Sequence, residues 1–286
     1  MSAIEREARN ASINRLSAHA VGIVNGIRVL GYDPVTQRRG DAEEPGTGSA
    51  GRWGNHYFVL TAKHVVEKAT PSDLRLFFCA NGRVEYRRPS ELRADDIVDA
   101  VPLRDEGAVI HRCEWEDLAV ITMSGPVPKV EYFDAVNEWT DPPVGELLHY
   151  VGFPLDYGQL VGKRMVGQQE ERTIALYPTV FSTAVLPPPT EDELRFKVTA
   201  FDPRDHYLVG FDDATKGVHP RGISGAAMWW ESEQKELIWR PRFEFAGVCS
   251  YKQGSVVQVV KAFVVRRFLA EVFGPANGGP GGSVAL

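Results

Sequence analysis

Little in this 286-residue chain points toward disulfides, membranes or nucleic acid. There are three cysteines, Cys79, Cys113 and Cys249, odd in number and far apart. No CxxC pair is present, which removes the usual signature of zinc or dithiol redox chemistry; the expected state is buried free thiol in a reducing compartment. No uncharged apolar run approaches the ~20 residues that cross a bilayer as a helix. The opening MSAIEREARNASINR carries acidic and basic residues where a secretory signal needs an unbroken apolar stretch. A basic excess is lacking too, since 32 Lys and Arg face 38 Asp and Glu for a formal net charge of -6. That balance argues against nucleic acid as the main partner, and pairs such as Arg38-Arg39, Arg87-Arg88 and Arg266-Arg267 read as solvated surface. The expectation is a cytoplasmic protein with neither nucleic acid nor membrane among its partners.

What is present is the composition of an ordinary globular protein, 43% hydrophobic and 24% charged. Ile4, Ala8, Ala11, Ile13, Leu16 and Ala20 recur at helical spacing and predict a short N-terminal helix. VGIVNGIRVLGYD follows as a strand, and the polar, glycine-rich 36–55 predicts a loop. Short apolar or alternating runs then succeed one another: HYFVLTA, DLRLFFCA, GRVEYRR, DLAVITM, ELLHYVGF, TIALYPTVFSTAVL, LRFKVTAF, HYLVGF, AAMWW, ELIWR, FEFAGVCSY and SVVQVV. Many short strands with little helix between them predict an all-β sandwich or barrel pair rather than a βαβ architecture. Val260, Phe263, Val264, Phe268 and Val272 predict a C-terminal amphipathic helix. The tail GPANGGPGGSVAL has linker composition and is expected to be disordered.

One stretch, 220-PRGISGAAMWW-230, sets Ser224 between two glycines, Gly222 and Gly225. A serine hydroxyl needs a base to become a nucleophile at neutral pH, and the base needs a group to orient it. The apolar strand 57-YFVLTAKHVVEKA-69 ends in Thr61-Ala62-Lys63-His64, where two small residues let the chain turn and present His64. In 113-CEWEDLAVITM-123, Asp117 heads an apolar run, well placed to hold an imidazole. Gly222 and Gly225 flank the serine closely, so the amides of Gly222 and Ser224 can turn toward one point as an oxyanion hole. Each residue alone has a plainer reading: a surface histidine, a strand-capping acid, a turn serine. His111 is the competing base, but it lacks the small-residue turn. The order His64, Asp117, Ser224 is what carries the case. A G-x-S-x-G elbow would need a histidine after the serine, and His219 is the last in the chain. An aspartate-first order finds only Asp33 and Asp41, both in turn-like contexts.

These segments resemble those of chymotrypsin-fold, trypsin-like serine peptidases. YFVLTAKHVV is similar to their "TAAH" segment, DLAVI to their aspartate segment and GISGA to their G-D-S-G-G. Pro45-Gly46-Thr47-Gly48 resembles the glycine turn before the histidine strands of bacterial members. Gly145-Glu146-Leu147-Leu148 through Gly152-Phe153-Pro154 resembles the opening of their second barrel. Phe245-Ala246-Gly247-Val248-Cys249-Ser250-Tyr251 is similar to the strand that borders their primary specificity pocket. The resemblance spans roughly residues 20 to 270 and is to a bacterial-type intracellular member without disulfides. It implies two six-stranded antiparallel β-barrels with a helix at either end. The expected division is an N-terminal extension 1–20, a first barrel 21–140, a second barrel with the C-terminal helix 141–274, and a tail 275–286. It further implies a catalytic triad of His64, Asp117 and Ser224, an oxyanion hole from Gly222 and Ser224, and substrate contacts at Val218, Ser250 and Tyr251. No metal or other cofactor is implied, and the partner is a protein or peptide substrate.

Departures from the family pattern sharpen the expectations. Ile223 stands where secreted animal members have an aspartate that pairs with a freshly cleaved N-terminus, so a pocket formed without such processing, or switched by a regulatory protein partner, is expected. Lys63 stands beside the base, and strand alternation predicts that it points to solvent. Val218 occupies the offset where Arg- and Lys-selective members carry an aspartate, which favours an uncharged residue on the acyl side of the cut bond; Asp212 and Asp213 remain alternatives. Trp229-Trp230 reads as barrel core and cover. The alternative to an enzyme is a catalytically silent trypsin-like fold that binds peptides or acts as a scaffold.

Overall fold

The computed structural model describes residues 3–25, 46–71, 74–79, 100–103, 107–128, 130–136, 141–154, 159–166, 169–175, 178–190, 201–211, 222–233, 241–253 and 255–275. The described residues are mostly β, in two large sheets and one two-stranded hairpin. The first contains β1 (Ala20–Asn25), β2 (Gly46–Trp53), β3 (His56–Thr61), β4 (Leu74–Cys79), β5 (Ala100–Leu103), β6 (Val109–Arg112) and β7 (Ala119–Thr122), in the order β5-β4-β1-β2-β3-β7-β6. The short β8 (Phe133–Asp134) lies parallel to β2. The second sheet contains β9 (Leu147–Gly152), β12 (Thr179–Leu186), β13 (His206–Gly210), β14 (Ala227–Glu233), β15 (Pro241–Gln253) and β16 (Val256–Lys261), closed into a barrel in the order β12-β13-β16-β15-β14-β9. A separate hairpin, β10 (Gln159–Val166) with β11 (Gln169–Ala175), interrupts it in sequence. Helices α1 (Ala3–Arg15) and α2 (Ala262–Phe273) stand at the two ends, as expected.

Side-chain alternation, with its period of two, sorts each strand between two cores. On β3, Val59 enters the core of the first sheet with Val21, Ile23, Leu76 and Ile121. Its neighbours Phe58 and Leu60 face the other way, into a seam between the barrels. On β16, Val257 and Val259 join Tyr150, Phe181, Val209 and Met228 inside the second barrel, while Val260 faces the seam. Phe133 of the first sheet stacks on Phe245 of the second there, centroids 4.9 Å apart. Helix α2 seals the seam with Val264, Val265, Phe268 and Leu269, one apolar stripe at helical spacing. Trp229 belongs to the seam core, and Trp230 packs at the edge of the second core with its Nε1–H on Glu146, core and cover as expected. Among the described residues no helix is long and apolar enough to cross a membrane.

Several local expectations need correction. The glycine-rich 36–55 is not all loop: β2 occupies Gly46–Trp53, buried at seven of its eight positions. Its small residues are there because neighbours come close; a methyl on Gly51 would lie 2.6 Å from Phe58 Cζ and 2.8 Å from Phe133 Cε1. The long run TIALYPTVFSTAVL is two strands, β11 ending at Ala175 and β12 starting at Thr179, just past Pro178, which has no N–H for a ladder. β5, β6, β8 and β10 are additional, being too short or too interrupted by charge to show in the pattern. The expected strands GRVEYRR and ELIWR, most of LRFKVTAF, the continuation of the first strand past Asn25 and the tail from residue 276 lie outside the described residues.

Candidate active site

At the end of β3 the chain passes Ala62 in extended conformation and enters a 3₁₀ turn, Lys63–Val66, that carries His64. Arg112, from the end of β6, donates to the carbonyls of Val66 (2.7 Å) and Ala69 (2.5 Å) and so braces the segment after the histidine. Asp117 closes the loop between β6 and β7, which Cys113 N–H ties across to Leu118 O at 2.9 Å. The two segments meet through the carboxylate. Asp117 Oδ1 accepts the His64 backbone N–H at 3.0 Å, and Oδ2 lies 2.8 Å from His64 Nδ1. A carboxylate can only accept, so this contact assigns the proton to Nδ1 and leaves Nε2 as the basic atom of the ring.

Lys63 does not point to solvent as expected. Its Nζ donates to Cys113 O at 2.9 Å, clamping the His64 turn to the Asp117 loop. The expectation rested on strand alternation, and residues 63–66 are not strand. On the same loop Trp115 lies under the Arg267 guanidinium, 3.8 Å from the ring centroid, and donates to Glu271 at 3.3 Å, so the loop also rests on α2.

The second barrel contributes the turn from Gly222 to Ala226. Both of its glycines have positive φ, 94° at Gly222 and 88° at Gly225. At Gly225 the space is closed as well: a methyl would collide with Thr47 O and Thr61 Oγ1 and sit 2.9 Å from Ala62 N. The turn bearing Ser224 is therefore pressed against the strand end that leads into His64. Thr47 on β2 fastens it there. Its N–H donates to Ser224 O at 2.9 Å, its hydroxyl donates to Gly222 O, and the same hydroxyl accepts from Phe153 N–H at 3.0 Å. Gly225 N–H donates to Cys249 O at 2.7 Å and Ala226 N–H to Ile223 O at 3.0 Å. Carbonyls of the turn are thus engaged from the first barrel. Among the described residues the amide N–H groups of Gly222 and Ser224 have no acceptor, and no hydrogen bond joins Ser224 Oγ directly to His64. Ile223 is buried in the second core, where a methyl on Gly152 would approach its Cγ2 to 2.8 Å.

Of the remaining expected contacts, Ser250 is buried and its hydroxyl donates to Asp117 Oδ2 at 3.1 Å, which joins the second barrel to the acid. Tyr251 next to it is half exposed, at 52%. Val218, Asp212 and Asp213 lie outside the described residues. Ala226 and Ala227 are buried, Ala227 N–H donating to Ser49 Oγ at 3.2 Å. Burial raises the Cys113 thiol and pushes the Cys249 thiol up to about 12, which disfavours the thiolate form of both. The Pro45–Gly48 motif includes Thr47 but gives no sign of its part in holding the serine turn, and no motif marks Glu116 and His206, a nearly buried pair at 2.8 Å beside Asp117. Glu116 had the weak signal of adjacency to Asp117; nothing in sequence linked His206 to it.

No protein-family model matches the sequence. No curated protein matches it either. Solved structures do. The scabies mite inactivated protease paralogue S-D1 superposes with a TM-score of 0.53 at 13% identity, covering 93% of this chain and 97% of that one. Paralogue S-I1 gives 0.52 at 13% identity over 91% and 96%. Kallikrein-related peptidase 10 gives 0.50 at 14% identity over 90% and 96%. At such identities the likeness speaks to architecture alone: this chain has the chymotrypsin-like double-barrel fold of trypsin-like serine proteases.

Proposed function

We propose that the protein is a serine endopeptidase of bacterial, intracellular type, with Ser224 as nucleophile, His64 as general base and Asp117 as the group that orients the base. The observation that carries this reading is the grip of Asp117 on both the ring and the backbone of His64, beside a serine turn packed against Ala62. Ser224 Oγ attacks the peptide carbonyl carbon while His64 Nε2 takes its proton. The tetrahedral oxyanion is met by the N–H groups of Gly222 and Ser224. His64 then returns the proton to the leaving amine, and water hydrolyses the acyl-enzyme by the same path in reverse. Closure of the serine onto the imidazole accompanies substrate binding, since such contacts tighten in the loaded complex.

The burial of Ile223 supports a turn held in place by apolar packing, with no need for an ion pair to a cleaved N-terminus. The buried thiols Cys113 and Cys249 suit a cytoplasmic setting. Substrate is a protein or peptide, and a regulatory protein partner that completes the site is part of the proposal. The second reading, a silent peptide-binding module, draws on the inactivated paralogues among the structural neighbours. A fluorophosphonate probe separates the two. Wild type labels, in cell lysate if a partner must complete the site, and Ser224→Ala does not under the enzymatic reading; equal labelling of both removes Ser224 as nucleophile, and labelling of neither in lysate or as purified protein favours the module.

A further inference from the structure

We propose that Glu116 and His206 form a clasp between the barrels that positions Asp117, and through it His64. The role rests on the peptidase reading above, but its geometry can be tested apart from activity.

Glu116 immediately precedes Asp117, and its two carboxylate oxygens have different partners. Oε1 accepts the backbone N–H of Asp117 at 2.7 Å. Oε2 lies 2.8 Å from Nε2 of His206, the first residue of β13 in the second barrel. Both side chains are nearly sequestered, at 11% and 4% exposure. The other nitrogen of the His206 ring is 3.0 Å from the N–H of Asp202, which needs an acceptor there. Asp202 O lies 3.1 Å from the same Nδ1, so it is the Glu116 carboxylate, able only to accept, that places a proton on Nε2 and receives its hydrogen bond. Phe201 covers the imidazole at a centroid distance of 5.9 Å. Burial works against the Glu116 charge, but the bonds from His206 and Asp117 N–H outweigh it and hold the carboxyl below its ordinary range. A charged, doubly bonded carboxylate in this position is a stiff link.

Asp117 is consequently tethered from both sides of the seam. His64 holds it from the first barrel. The second barrel reaches it twice, directly through the Ser250 hydroxyl and indirectly through His206 and Glu116. Without Glu116 the backbone of Asp117 loses its acceptor and its carboxylate is free to drift relative to the imidazole. Glu116 and His206 touch neither substrate nor the reacting atoms; they are positioning residues.

The test is a set of folded variants examined by NMR of the His64 ring (the low-field Nδ1 proton and both ring ¹⁵N shifts) alongside the rate of fluorophosphonate labelling. Glu116→Ala should shift or lose the Nδ1 proton signal and label up to about 100-fold more slowly, the scale of an ångström-sized misplacement. Glu116→Gln keeps an acceptor for Asp117 N–H and turns its amide NH2 to His206, whose ring can accept it at Nε2 by moving its proton to Nδ1, 3.1 Å from Asp202 O; it should keep the signal and label within about threefold of wild type. If Glu116→Ala does not fold, His206→Phe removes the cross-barrel bond while keeping a flat ring and is read the same way. A folded Glu116→Ala with wild-type ring signals and wild-type labelling overturns the clasp. A ring signal lost in Glu116→Ala, in a protein whose wild type never labels, leaves the clasp standing and removes the peptidase reading instead.

Discussion

Two buried histidine–glutamate pairs join the second barrel to its surroundings, and they differ in what lies behind the glutamate. His206 and Glu116 meet at 2.8 Å, and the second oxygen of Glu116 goes to the backbone of Asp117. His149 on β9 and Glu231 on β14 meet at 3.2 Å, and Glu231 is forked by Arg9 of α1 at 2.6–2.9 Å. The chemistry is alike in both, a nearly buried imidazole against a carboxylate held by a further donor. One pair reaches the candidate active site, whereas the other reaches a terminal helix. Burial of such a pair is by itself weak evidence of function. What the pair is connected to decides which measurement will register its loss.

The largest expected contrast is therefore kinetic. Glu116→Ala is expected to slow labelling up to about 100-fold and Glu231→Ala less than about twofold, both measured on folded protein. Equal effects would break the distinction between the pairs. In stability the order should reverse its emphasis: Glu231→Ala strands His149 and Arg9 together and should cost roughly 2–4 kcal/mol in urea unfolding. Arg9→Ala leaves the buried His149–Glu231 contact intact and should cost only about 1 kcal/mol, with faster amide exchange confined to α1. The smallest effect is the pH slope. Burial lowers the His149 pKa from its ordinary 6.5 more than the Glu231 contact raises it, with Ser182, Arg9 and Phe243 as its other neighbours. The unfolded chain then binds a proton that the folded one resists, so stability is lost as pH falls below 6.5 toward the lower folded value. His149→Asn should flatten that part of the pH–stability curve, and an unchanged slope would assign the acid sensitivity elsewhere.

Much of the architecture was legible because barrel strands advertise themselves. HYFVLTA, DLAVITM and HYLVGF contain β3, β7 and β13, and SVVQVV covers all of β16 but Lys261. The failures have a common cause, which is that local pattern is blind to what packs across a gap. β2 reads as loop because of Gly46, Gly48 and Gly51, which make room for Val65, for Val59 and Ile23, and for Phe58 and Phe133. Lys63 was assigned to solvent by a strand rule that a 3₁₀ turn does not obey. The bond from the Ser250 hydroxyl to Asp117 joins residues 133 apart, and no local pattern shows it. Thr47 lies within the Pro45–Gly48 motif, but nothing in that motif shows that its N–H and hydroxyl secure the serine turn.

By itself the sequence determined the class of fold, through apolar alternation, and the chemical types and order of His64, Asp117 and Ser224 along the chain. Those are properties of short segments, where side-chain period and turn preference operate. Only the tertiary structure decided that Asp117 grips His64 at two points, that Gly225 must be glycine for the turn to meet Ala62, and that Glu116 reaches His206 across the seam. Hydrogen bonds spanning 50 to 90 residues depend on where whole barrels dock, and docking is set by the pooled burial of Phe58, Phe133, Phe245 and the α2 stripe rather than by any local signal.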